Sequence, residues 1–152
     1  MGYATILYGY ILAYGENASL NAAHIAALGR QDAWPHLTSD LFAMPEMEHS
    51  YNDHLITFGT IYKNFDLNSG WPEWRVKFEG LLRTMPWMEA PVYLDIESFG
   101  RCLFQWTQDM RHLSNVDLPQ DTERTRVALR EVMRMPVERW IFAGGPIANS
   151  GN

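Results

Sequence analysis

The sequence predicts an α+β domain in which helices pack on one face of a mixed or antiparallel sheet. Residues 3–14 and residues 55–65 are both rich in aromatic and β-branched side chains, and each stretch carries a central glycine. Each also runs through an Asn-containing turn into a helix-like stretch, so strand–helix units follow one another along the chain. The length of 152 residues fits a single domain with a sizeable core. A ferredoxin-like arrangement is one candidate for the strand order.

The first third of the chain predicts a strand, a helix and a long loop. Residues 3–14 are almost continuously apolar, which indicates a central strand covered on both faces. A helix should follow, because Asn17 or Ser19 can cap its N-terminus and Gly29 suits the left-handed position after its last turn. Residues 31–52 contain two prolines and few helix signals. They predict a long ordered loop with a short helix or an edge strand, and loops of this length are often functional.

The middle of the chain holds the clearest periodic pattern. After the strand at residues 55–65 and a turn, Pro72 suits the first turn of a helix. Apolar side chains then recur at helical spacing: Trp74, Phe78, Leu81, Leu82 and Met85. A third strand at residues 92–96 and a fourth at residues 102–107 follow, and residues 98–100 join them as a hairpin.

The last third predicts one more helix and a tail. The helix opens at Pro119 and carries an apolar stripe of Leu129, Val132, Met133 and Pro136. Residues 140–143 are apolar and should pack on the body of the domain. Residues 144–152 begin with Gly-Gly-Pro and predict a flexible tail, so the single domain is expected to span residues 1–143.

Charge and composition favour some partners over others. The net charge of −6 is uneven: residues 1–98 carry five basic and twelve acidic side chains (−7), whereas residues 99–152 carry seven and six (+1). An acidic region disfavours nucleic acid and favours a cationic partner. No apolar run is long enough to span a membrane, and no basic leader precedes the first apolar stretch. With Cys102 as the single cysteine, a buried thiol and a cytoplasmic location are expected.

The densest group of possible metal ligands and acid–base residues comprises Glu46, Glu48, His49, Asp53 and His54. A divalent metal needs three or four such groups to converge, and this spacing matches no helical ligand pattern. Solvated loop charge is therefore the favoured interpretation, and neither a metal nor a cofactor is expected. No nucleophile elbow or phosphate-binding loop stands out either, so the sequence does not predict an enzyme.

A partner-binding surface is predicted where tyrosine lies beside carboxylates. Tyr93, Asp95 and Glu97 alternate along the third strand and so share one face, which suits a basic partner. A solvated face, or an acid–base pair of the two carboxylates, is the alternative interpretation. The full candidate set for partner binding is Tyr93, Asp95, Glu97, Glu46, Glu48 and Asp53.

A basic stripe lies near the carboxyl end of the chain. Arg126, Arg130 and Arg134 recur every four residues on the last predicted helix, interrupted by Glu123 and Glu131. The stripe could contact phosphate, or it could pair with the acidic face of the sheet. Because the chain as a whole is acidic, binding to nucleic acid is not expected.

Three stretches in the middle third are similar in style to small antitoxin-like proteins. They are Phe-Gly-Thr-Ile-Tyr-Lys at residues 58–63, residues 74–82 and residues 93–97. With its acidic, Trp-rich and Cys-poor composition, the chain resembles the immunity proteins of bacterial polymorphic toxin and contact-dependent inhibition systems. The resemblance implies an inhibitor that masks the active site of a toxin by presenting acids to a basic cleft. Immunity proteins are diverse in fold, so the resemblance assigns no site residues.

Three hypotheses of function follow. The first is a non-catalytic domain that docks an acidic and aromatic surface on a basic cognate protein, as an immunity protein does. The second is a small-ligand-binding protein or enzyme with a pocket under residues 31–52, where His49, Asp53 and His54 would line the mouth. The third is a structural assembly protein. The sequence does not give the oligomeric state.

Overall fold

The computed structural model describes residues 2–45, 53–109 and 135–147. It is a mixed α+β fold with one sheet of six strands in the order β2-β3-β1-β4-β5-β6, and every neighbouring pair is antiparallel. The elements, in chain order, are β1 (Ala4–Tyr14), α1 (Ala18–Ala26), β2 (Phe42–Ala43), β3 (Asp53–Lys63), α2 (Trp71–Leu82), β4 (Glu89–Ile96), β5 (Gly100–Gln108) and β6 (Trp140–Pro146). The predicted fold class is confirmed.

The two similar stretches of sequence become neighbouring strands. β1 and β3 pair along their whole length, from Ala4 opposite Lys63 to Tyr14 opposite Asp53. On its other side β1 pairs with β4, so the prediction of a central strand is correct. The prediction that both faces of this strand are covered is wrong, because burial alternates strictly along β1. Its even-numbered side chains lie on a face that no described residue covers.

The connections between strands only partly resemble a ferredoxin-like arrangement. β3 and β4 both run antiparallel to β1, which lies between them, so β3, α2 and β4 form a split β-α-β unit. A ferredoxin-like domain contains two such units. Here the other helix, α1, connects β1 to its direct antiparallel neighbour β3. The sheet therefore has one split unit and extends on the far side through β5 and β6.

Aromatic side chains of α2 form the centre of the core. Trp74 and Phe78, four residues apart, are fully buried, and their ring centroids lie 4.8 Å apart. Phe58 of β3 and Trp106 of β5 approach the ring of Phe78 at 5.3 and 5.1 Å. The predicted helical stripe is therefore the buried side of α2. Because each large aromatic side chain buries about 150–250 Å² of surface, this cluster fixes α2 across the inner face of the sheet.

The glycine and proline residues that predict the helix ends agree with the structure. Gly29 follows α1 with a φ of 75°, as the predicted left-handed position requires. α2 begins after Gly70, whose φ is 94°, and Pro72 lies in its first turn. The Glu73 carboxylate accepts the backbone N–H of Gly70 at 3.1 Å, which satisfies a donor at the start of the helix. Neither α1 nor α2, the helices that the described ranges contain, is long and apolar enough to cross a membrane.

The structure corrects the prediction for the carboxyl end. Residues 140–146 form β6, which pairs with β5 from Trp140 opposite Gln108 to Pro146 opposite Cys102. The tail predicted from residue 144 thus begins inside a strand. Pro136, the last residue of the stripe on the predicted last helix, is not helical, and residues 110–134 with the three stripe arginines lie outside the described residues. The loop prediction is confirmed in part, since residues 31–45 contain one turn of 3-10 helix, Ser39–Leu41, and the edge strand β2.

Candidate functional site

The face of the sheet opposite the helices carries several exposed large apolar side chains. We call it the open face, and its central side chains are Ile6, Tyr8, Tyr10, Ile61, Tyr93 and Leu103. Ile6, Tyr8 and Ile61 are 43%, 41% and 66% exposed. Large apolar side chains that are exposed together in the middle of a sheet often mark a surface that a binding partner covers.

Two tyrosines dominate the open face. Tyr8 and Tyr93 stand opposite each other on β1 and β4, and their rings stack with centroids 5.1 Å apart and planes 10° apart. Gly59 lies beside Tyr8 on β3, so the other side of the Tyr8 ring has no bulky neighbour in register. The Tyr10 hydroxyl donates to the Glu89 carboxylate at 3.4 Å. Burial, followed by the charge of Glu89, raises the pKa of Tyr10, so the Tyr10 phenol stays uncharged at neutral pH.

The predicted partner-binding residues are not gathered in one place. Tyr93 and Asp95 lie on the open face, as their alternation predicts. Glu97 lies one residue beyond the end of β4, in the hairpin turn, and its backbone N–H donates to the carbonyl oxygen of Ala4 at 3.0 Å. Asp53 lies opposite Tyr14, whereas Asp95 lies opposite Ile6. About 26 Å of strand separates these two positions, and Glu46 and Glu48 lie outside the described residues.

Most acidic side chains that the structure describes bond to their own fold. Asp95 approaches Arg101 at 3.8 Å, and Asp32 accepts from Lys77 at 2.8 Å. Glu79 accepts the indole N–H of Trp106 at 2.9 Å. The other carboxylates with partners of this kind are Asp40, Asp66, Glu73, Glu89 and Glu97. Many carboxylates of the first 98 residues therefore form bonds within the fold. The centre of the open face is occupied by tyrosines and not by acidic side chains.

The cluster around Asp53 and His54 does not converge. The two side chains point to opposite faces of β3, since Asp53 is exposed and His54 is 2% exposed in the core. His54 Nε2 lies 3.4 Å from Asn21 Nδ2 of α1, and burial lowers the pKa of this imidazole. His49 lies outside the described residues. Within the described ranges no three His, Cys, Asp or Glu side chains are placed to hold a metal ion.

A cleft does lie under the long loop, although other residues form it. Its volume is about 480 Å³, and its lining includes Arg30, His36, Asp40, Leu41 and Tyr62. Neither Asp53 nor His54 is among the described residues that line this cleft. The polar groups of this cleft largely bond to one another: the Tyr62 hydroxyl donates to the carbonyl oxygen of His36, and the Thr38 hydroxyl donates to Asp40.

Cys102 has the role that the sequence predicts. It is fully buried on β5, and this burial raises the pKa of its thiol. A protonated thiol in the core is a poor nucleophile, so Cys102 acts as a small packing residue.

Comparison of the chain with models of protein families, with curated proteins and with solved structures gives no match.

Sequence reasoning missed Tyr8 and Tyr10 as surface residues. Their stretch reads as continuously apolar because tyrosine, isoleucine and leucine alternate with other apolar residues. The available signal is the position of the phenol groups: Tyr8, Tyr10 and Tyr14 all have even numbers, as expected where one face of a strand meets water.

Proposed function

We propose that this chain is a non-catalytic protein-binding domain and that a cognate protein docks on the open face of the sheet. The observation that carries the proposal is the stacked pair of Tyr8 and Tyr93 at the centre of a sheet face that no described residue covers. Tyrosine is enriched, and charged residues are depleted, in the centres of protein interfaces. Tyrosine also supplies a large contact area at a small cost in side-chain entropy.

The size of the open face supports a protein partner. The five long strands contain seven to eleven residues each. At about 3.3 Å per residue and about 4.8 Å between strands, they present on the order of 700 Å². A stable interface buries about 800 Å² on each partner. The face is therefore of the size that one docked protein covers.

The charge at one end of the face suits a basic partner. Asp95 lies on the open face, and Glu97 follows in the adjoining turn. Arg101 is the basic side chain near Asp95, and it is largely exposed. We propose that the partner is a basic toxin effector which this domain inhibits, consistent with the resemblance to immunity proteins. Carboxylates at the rim of an interface accelerate association, while the uncharged centre supplies most of the affinity.

The test is co-expression of the chain with the products of adjacent open reading frames, followed by measurement of Kd for any complex. The double variant Tyr8→Thr/Tyr93→Thr removes both rings but keeps side chains that suit a strand. We expect this variant to weaken binding by at least about 100-fold. Val76→Ala is the matched control, because Val76 is 70% exposed on α2 and lies away from the open face.

Three results would overturn the proposal. The first is the absence of binding by any adjacent gene product, and the second is binding that the double variant leaves unchanged. The third is a large loss of stability in the free double variant, more than about 2 kcal/mol, because a face that is already covered by the chain itself behaves as core.

A further inference from the structure

A cleft lies at the end of the sheet where β1 begins and β4 ends. Its volume is about 420 Å³, within the range of roughly 300–1,000 Å³ that is typical of small-ligand sites. The residues that form its wall and rim include Tyr3, Asp66, Leu67, Ile96, Glu97 and Phe99. We call it the Phe99 cleft. Glu97 lines the cleft, and its carboxylate accepts the backbone N–H of Ala4, an even-numbered residue of β1, so the cleft lies at the end of the sheet that borders the open face.

The wall of the Phe99 cleft is apolar, and the aromatic ring of Phe99 is exposed to solvent. Phe99 lies at the tip of the hairpin between β4 and β5 and is 59% exposed. An exposed phenylalanine in a turn loses hydrophobic stabilisation unless another group covers it. The flat face of such a ring attracts a cation, and a guanidinium more often than an ammonium.

The described residues that line the Phe99 cleft carry charge of a single sign. They include the two carboxylates Asp66 and Glu97 and no lysine, arginine or histidine. In the part of the chain that the structure describes, neither carboxylate has a lysine or arginine nitrogen within 4.0 Å. The cleft is therefore complementary to a cationic group.

The two carboxylates differ in how many acceptor positions they have left. Asp66 accepts the Tyr3 hydroxyl and the backbone N–H groups of Asn68 and Ser69, and these bonds lower its pKa. Glu97 accepts the backbone N–H of Ala4 through Oε2 at 2.8 Å. No other hydrogen bond to the Glu97 carboxylate is found among the described residues. A carboxylate offers about four acceptor positions, so Glu97 keeps most of its capacity.

We propose that the Phe99 cleft receives a basic side chain, preferably arginine, from the protein that docks on the open face. The guanidinium donates to Glu97, stacks on Phe99 and places its methylene stem against Leu67 and Ile96. Arginine is preferred over lysine because its planar group can make both contacts at once. This inference deepens the proposed function and rests on it for the identity of the occupant.

The test is an NMR titration of the full chain with N-acetyl-arginine amide. The control ligand is N-acetyl-citrulline amide, which has nearly the same shape but no charge, and whose planar urea group keeps about three of the five N–H donors of a guanidinium. We expect the arginine derivative to shift the backbone amide signals of Glu97, Ser98 and Phe99 with a millimolar Kd, and the citrulline derivative to bind at least about 5-fold more weakly. Equal effects of the two ligands, or no shift at these amides, would overturn the inference.

Variants separate this inference from the proposed function. Glu97→Gln removes the charge but still offers an oxygen to Ala4, and Phe99→Ala removes an exposed ring, so both variants should fold. Each is expected to weaken binding of the arginine derivative by at least about 5-fold, whereas Tyr8→Thr/Tyr93→Thr should leave it unchanged. If the protein partner is lost with the tyrosine variant but binds Glu97→Gln and Phe99→Ala normally, the docking proposal stands and the Phe99 cleft inference fails.

Discussion

The buried imidazole of His54 makes the stability of the fold depend on pH. Its side chain is 2% exposed, and burial lowers its pKa below the ordinary value of 6.5. The unfolded chain therefore binds a proton at this residue before the folded chain does. The stabilisation is complete above about pH 6.5 and is lost as the pH falls through the lower pKa of the folded state.

We expect the free energy of unfolding, measured by urea denaturation, to fall as the pH is lowered from 7.5 to 5. The fall is at most about 1.4 kcal/mol per pH unit, which is the slope for one proton. His54→Gln should remove this part of the slope. His36→Gln is the control, because it makes the same substitution at an exposed histidine. An unchanged slope in His54→Gln would assign the pH dependence to other groups.

Replacing each of two glycines with alanine should change the stability of the fold in opposite directions. A Cβ on Gly9 would lie 2.2 Å from the carbonyl oxygen of Pro91 and 3.0 Å from the ring of Phe58. β1 and β4 would have to separate, so Gly9→Ala should lower the free energy of unfolding by more than about 2 kcal/mol. A Cβ on Gly80 meets nothing within 4 Å, and Gly80 lies inside α2. Gly80→Ala should raise the free energy of unfolding by about 1 kcal/mol, because alanine favours helix.

Urea denaturation of the two variants beside the unmodified chain measures both effects. A mild effect of Gly9→Ala would mean that the sheet relaxes around the added methyl group. A loss of stability in Gly80→Ala would contradict the open space beside that residue.

At the level of elements, Phe142 is one of two aromatic side chains of β6 that pack against the core, and Trp140 is the other. The Arg75 guanidinium of α2 lies 3.7 Å from the centroid of this ring, and Trp106 of β5 lies at 4.8 Å between centroids. Phe142→Ala should cost about 2–3 kcal/mol, since it removes a half-buried aromatic ring and a cation–π contact. Hydrogen exchange should become faster along β6 while the amides shared by β1 and β3 keep their protection.

Ile141→Ala provides the comparison for this variant, because Ile141 lies on the same strand but is 48% exposed. Its substitution should change the free energy of unfolding by less than about 0.5 kcal/mol. If the exchange rates along β6 did not respond to Phe142→Ala, backbone pairing with β5 alone would hold this strand.

The elements that were predictable are those whose signal lies within their own sequence. α2 carries its own helical period, and β1 and β3 carry dense β-forming residues. β6 was not predictable in this way, because Gly144, Gly145 and Pro146 are typical of a tail. Pairing with β5 and contact with Arg75 make this stretch a strand, and tertiary contacts of this kind override local propensity.

The candidate site was predictable only in part for the same reason. Alternation along one strand correctly placed Tyr93 and Asp95 on a common face. The stacking of Tyr8 on Tyr93 depends on which strands pair, and a single sequence does not give the order of the strands in the sheet. The Phe99 cleft combines residues near positions 3, 66 and 97, so no local motif contains it.

At the scale of the whole molecule, one continuous core joins both helices to the sheet. Buried side chains from α1, α2 and strands β1, β3, β4 and β5 belong to the same cluster. We therefore expect a single cooperative unfolding transition. Far-UV circular dichroism and the fluorescence of the buried tryptophans, among them Trp74, Trp87 and Trp106, should give the same midpoint. Separate midpoints would show that part of the sheet unfolds independently.

The central position of β1 has a consequence for synthesis on the ribosome. Both of its pairing partners, β3 and β4, lie later in the chain, and the second is complete only at Ile96. At roughly 5–20 residues per second, a newly made β1 waits about 4–16 seconds before both partners exist. Until β3 is complete at Lys63 this apolar strand has two unsatisfied edges, and one edge stays unpaired until β4 is complete, so other nascent chains can pair with it. We therefore expect this protein to depend on chaperones more than its size suggests.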